Sequence, residues 1–91
     1  MSLLTVTDAL TDANNIPALS GRKQLMIRNT GENAVYFGWE PNVSNSGAHQ
    51  GVPLEPGEFI AFAGRDLDIS DSLRLICADG ESTTINYTQR G

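Results

Sequence analysis

Turn-forming residues are spaced so closely along this chain that no long helix fits between them. Nine Gly and four Pro, with many Asn, Asp and Ser, divide it into short segments. Those segments are rich in Val, Ile, Phe, Tyr and Thr, residues that suit a pleated and half-buried surface, while Gly, Pro, Asn and Asp supply the turns between them. Short strands at regular spacing with no amphipathic helix predict an all-β fold, an antiparallel β-sandwich or small barrel of six to seven strands.

The strands can be placed from their alternation. Arg22 to Arg28 puts Leu25 and Ile27 on one face and Gln24, Met26 and Arg28 on the other. Asn29 to Asn33 reads as a turn, with Gly31 at a positive φ angle. Ala34 to Trp39 returns with Val35, Phe37 and Trp39 on one face, so the two strands are expected to form a β-hairpin. Pro41 to Gly51 is a loop, long for so small a domain, and long loops are often functional. Gly51 to Leu54 is a short extended piece. Glu55-Pro56-Gly57-Glu58 has the Pro-Gly centre of a type II turn. Phe59 to Ala63 and Leu73 to Ala78 are strands, joined by a polar connection that carries Leu67 and Ile69. Asp79-Gly80 signals a hairpin turn into a last strand, Ser82 to Gln89, with Thr83, Ile85 and Tyr87 on one face.

Residues 1–19 differ from residues 20–91, which form the single sandwich domain. Leu3, Leu4 and Val6 suit a short strand, and Thr7 to Asp12, including Leu10, suits one helical turn. Ile16-Pro17 then forces extended backbone. This segment reads as an N-terminal arm or edge strand whose apolar side chains need a surface, on the same subunit or on a neighbour. Several later strands are apolar on both faces, through Met26, Tyr36 and Ile76, whereas a free antiparallel sheet shows a polar outer face. The candidate interface residues are therefore Leu3, Leu4, Val6, Leu10, Met26, Tyr36 and Ile76, with Asn42, Val43 and His49 from the long loop.

The composition leaves little room for catalysis. His49 is the only histidine and Cys77 the only cysteine of the 91 residues, so neither a nucleophilic triad nor a transition-metal site is expected. Cys77, in the run Leu73 to Ala78, reads as a small buried hydrophobe. Asp66, Asp68 and Asp71 form the densest acidic cluster, but the remaining ligands of a calcium loop are missing. The chain is read as a non-enzyme with no cofactor and no metal. A net charge of −5 with only six basic residues argues against nucleic acid. No stretch approaches the ~20 apolar residues of a membrane helix, and no signal-peptide pattern opens the chain, so synthesis and retention in the cytosol are expected.

The order of features in the middle of the chain is familiar. A basic and hydrophobic strand, Arg22-Lys23-Gln24-Leu25-Met26-Ile27-Arg28, leads into Asn29-Thr30-Gly31. Val35-Tyr36-Phe37-Gly38, a polar loop and Gly51-Val52-Pro53-Leu54-Glu55-Pro56-Gly57-Glu58 follow. Over roughly residues 20 to 80 this resembles small β-sandwich structural proteins of tailed bacteriophages. The resemblance implies a non-enzymatic virion component, assembled in the host cytoplasm, and within that class a head decoration (cement) protein. Such proteins typically act as homo-oligomers, often trimers, on a lattice of major capsid protein. Its partners would be its own subunits and the capsid or another virion protein. A head–tail joining protein and a receptor- or carbohydrate-binding module of the tail are the rival readings. The last would use Trp39, Tyr36 and the Asn/Ser-rich loop as a shallow sugar site.

Overall fold

A computed structural model describes residues 2–8, 14–39, 43–63 and 72–90. Seven strands are formed: β1 (Ser2–Val6), β2 (Gln24–Asn29), β3 (Val35–Gly38), β4 (Val52–Leu54), β5 (Phe59–Ala63), β6 (Arg74–Cys77) and β7 (Thr83–Arg90). They make two antiparallel sheets, one ordered β1-β7-β2-β5 and the other β4-β3-β6. The fold is a small β-sandwich, and no α-helix occurs among the described residues.

The alternation decides what each strand buries. Leu25 and Ile27 of β2, Ile85 of β7 and Val6 of β1 point inward from the larger sheet. Val35 and Phe37 of β3, Leu75 and Cys77 of β6 and Leu54 of β4 meet them from the smaller one. Ile16 and Leu73, both fully buried, close one side of this core. Met26, Gln24 and Arg28 stand on the opposite face of β2, as the period of two requires.

Two expected hairpins are not hairpins. β2 belongs to the four-stranded sheet and β3 to the three-stranded one, so residues 30–34 carry the chain across the sandwich. The same holds at Asp79-Gly80, which joins β6 to β7 in opposite sheets. Alternation explains the error. A strand with one apolar face must turn that face toward the core, but it can do so from either layer. The Pro56-Gly57 turn has the expected geometry: Gly57 has φ +86° and the Glu58 N–H donates to the Glu55 carbonyl at 3.0 Å. It too leads from one sheet to the other. Gly31 is not at positive φ. It is small because β7 passes close by, and a β-carbon there would lie 2.7 Å from the Thr84 nitrogen.

Asn29 ties these crossings together. Its side chain is fully buried. Its Nδ2 donates to the carbonyls of Asn33 (2.7 Å) and Leu54 (2.9 Å). Its Oδ1 accepts from the Gly31 N–H (3.1 Å) and the Thr83 hydroxyl (2.8 Å). One amide thus links the end of β2, the crossing to β3, the end of β4 and the start of β7.

The edges of the two sheets are treated differently. Along β6, Ile16 and Leu73 exchange backbone hydrogen bonds of 2.9 and 3.0 Å, and the Cys77 N–H donates to the Thr7 carbonyl at 2.9 Å. At the other edge of that sheet, β4 is three residues long and carries Pro53, which has no N–H. Both devices blunt an edge against further pairing. In the larger sheet β1 and β5 are the edge strands, and neither has a second partner among the described residues.

Candidate functional site

Cys77 is completely buried, and its Sγ–H lies 3.5 Å from the Val6 carbonyl as donor. Burial pushes its thiol up to about 11, helped by the charges of Glu81 and Asp8. A thiol held in that form is a poor nucleophile and metal ligand. Among the described residues no three of His, Cys, Asp or Glu gather into a possible metal site. Asp66, Asp68 and Asp71 lie outside the described residues, as do Leu10 and Asn42.

The aromatic residues serve the end of the sandwich. Phe62 meets Trp39 edge-on at 5.3 Å between ring centroids and Phe37 at 5.9 Å. The guanidinium carbon of Arg22 lies 5.7 Å from the Trp39 ring centroid. Arg22 is 3% exposed and donates to the Pro17 carbonyl (3.1 Å) and to Gln89 Oε1 (2.9 Å). Trp39 packs against the core, while Tyr36 stands half-buried on the other face of β3, opposite Ile76 in register. The two rings therefore do not share one platform.

The described part of the long loop is fastened to its own domain. Val43 is buried against Gly38. Asn45 Nδ2 donates to the Cys77 carbonyl and to Asp79 Oδ1, both at 3.0 Å, and the Gly51 N–H donates to the Ser44 carbonyl at 3.0 Å. His49 ends a single 3-10 turn, Gly47–His49. Val6 is likewise a core residue, Leu4 packs against the core, and Ile76 is 6% exposed.

The open surface is elsewhere, on the outer face of the four-stranded sheet. Register sets Leu3 beside Asn86, Asn86 beside Arg28 and Arg28 beside Phe59 in one row across all four strands. The next row runs Thr88, Met26, Ala61, and the next Arg90, Gln24, Ala63. Leu3 is 72% exposed, Phe59 58% and Met26 42%. Arg28 lies with its guanidinium carbon 5.4 Å from the Phe59 ring centroid, the distance of a cation–π contact. No strand residue on this face is acidic. The described carboxylates, Asp8, Glu32, Glu55, Glu58, Asp79 and Glu81, all sit in connections.

Leu3 and Met26, named from the sequence, thus lie on one face. Phe59, Ala61 and Arg28 share it and were not singled out. The signal was present in β5, where Phe59, Ala61 and Ala63 alternate with Ile60 and Phe62, leaving no polar face in a strand that the core covers on one side only. Compared with family models, curated proteins and solved structures, the chain matches none.

Proposed function

We propose that this chain is a non-enzymatic structural protein of a virion, a head decoration protein that docks on a capsid lattice through the outer face of its four-stranded sheet. The observation that carries the reading is that face: apolar residues at Leu3, Met26 and Phe59 around Arg28, without a carboxylate, on a chain of net charge −5. Core packing does not require it: Met26 and Phe59 stand exposed on neighbouring strands beside Arg28, and exposed apolar residues rimmed by polar ones mark an interaction surface. Its basic side chains fit a protein surface that offers acidic groups to Arg28 and Arg90. The virion and the head enter through the resemblance of residues 20 to 80 to phage β-sandwich proteins. The core position of Trp39 favours this reading over a sugar-binding tail module.

Immunoelectron microscopy on purified virions of the phage that encodes the chain tests the assignment. Label distributed over the head is expected. Label confined to the tail or the neck would move the protein to one of the rival classes, and virions without the chain would end the structural reading.

A further inference from the structure

We infer that the chain self-associates through β5, two copies pairing antiparallel about Ala61 to join their larger sheets into one. This pairing is independent of what the outer face binds.

The hydrogen bonds fix which backbone groups are free. The Thr30 N–H donates to the Thr84 carbonyl of β7, and the Asn29 N–H donates to the Glu58 carbonyl beside β5. Backbone groups alternate sides along an antiparallel strand. Thus Leu25 and Ile27 turn theirs to β5, where their register partners are Phe62 and Ile60. Phe59, Ala61 and Ala63 consequently direct their N–H and C=O groups at the edge that no described residue pairs. By the same alternation β1 presents only Leu3 and Thr5 at its edge. β5 is the longer template: among the described residues nothing pairs with its outer edge, and its five residues include no Pro.

The occupant is a second copy because the strand is complementary to itself. Pairing about Ala61 sets Ala61 opposite Ala61 of the other copy, and Phe59 opposite Ala63, so the bulky ring meets the smallest side chain. Each of these pairs falls at a hydrogen-bonded position and exchanges two N–H···O bonds. Half-buried Ile60 and Phe62 meet on the inner side and lengthen the core. Charge points the same way. Two copies of an acidic chain repel, and the residues of β5 carry no charge. The contact is isologous and closes at two, whereas β1 against β5 would leave ends that continue to add copies.

The test is sedimentation of the full-length chain at about 100 µM, above the micromolar Kd of a weak interface. A mass of twice 9.8 kDa is expected. Ala61→Lys opposes two ammonium groups at the centre and is expected to weaken the dimer at least about a hundredfold, with far-UV dichroism and thermal unfolding retained because Ala61 is exposed. Thr5→Lys, on the β1 edge, is expected to leave the dimer intact. Ala61→Cys is expected to be joined across the pair by a short bifunctional thiol reagent, since hydrogen-bonded antiparallel pairs hold their Cα atoms about 5.5 Å apart. A monomeric or trimeric wild type, a dimer that survives Ala61→Lys, or one that Thr5→Lys dissolves would overturn the proposal.

Discussion

A buried asparagine is costly unless all of its hydrogen-bonding positions are filled. Asn29 fills two donor and two acceptor positions at distances of 2.7 to 3.1 Å. Asn29→Ala would leave two carbonyls, an N–H and a hydroxyl without their partner inside the sandwich. The expected loss is about 4 kcal/mol, read as a shift of the urea midpoint, because each stranded buried group costs roughly 1 to 3 kcal/mol and the set relaxes in part. A domain of this length has only about 5 to 14 kcal/mol in total. Asn29→Asp is expected to fare no better, since it turns a donor into an acceptor facing the Asn33 and Leu54 carbonyls. A midpoint unchanged by either substitution would refute the role. Nothing in the sequence marks Asn29 as buried. It precedes Thr30-Gly31 and reads there as an ordinary turn residue, because its partners lie up to 54 positions away.

At the scale of elements, the strands were legible and their pairing was not. Leu25 and Ile27, Val35 and Phe37, and Thr83 and Ile85 each announced an inward face by alternation, and all of these faces are buried. Alternation has no term for which sheet a strand joins, so turns at Gly31 and Gly80 looked like hairpins when they are crossings between layers. Gly31 distinguishes the two geometries. A hairpin glycine at positive φ accepts Asn with little loss. A glycine held small by close approach to Thr83 and Thr84 does not. Gly31→Asn and Gly31→Ala are both expected to cost about 2 kcal/mol in thermal or urea unfolding. Full tolerance of Gly31→Asn would restore the hairpin. The interface candidates divided along the same line. Leu3 and Met26 are exposed: Met26 breaks the polar side of the β2 pattern, and Leu3 was named with the apolar N-terminal arm. The burial of Val6 and Val43 was hidden because it depends on Ile16, Gly38 and the opposite sheet.

For the whole molecule the question is why one sheet is finished and the other is not. The smaller sheet has its β6 edge paired with residues 7 and 16 and its β4 edge shortened around Pro53. Among the described residues the larger sheet keeps two unpaired edges, and its outer face sets Leu3, Met26, Phe59, Ala61 and Ala63 among Thr, Asn and Gln side chains, with Arg28 and Arg90 and no carboxylate. The acidic residues that give the chain its net charge are, where described, in the turns. Exposed Leu3, Met26 and Phe59, by contrast, share one sheet face. The direct measurement is co-sedimentation of the chain with capsids assembled from the major capsid protein of the same genome. It compares the wild type with a variant carrying Leu3→Glu and Thr88→Glu, which places carboxylates on the face while sparing β5. The wild type is expected to pellet with the capsids and the variant, still folded, to bind at least about tenfold more weakly, since like charge or an unpaired desolvated carboxylate costs more than 1.4 kcal/mol. Equal binding of the two, or a wild type that stays in the supernatant, would contradict the assignment of this face.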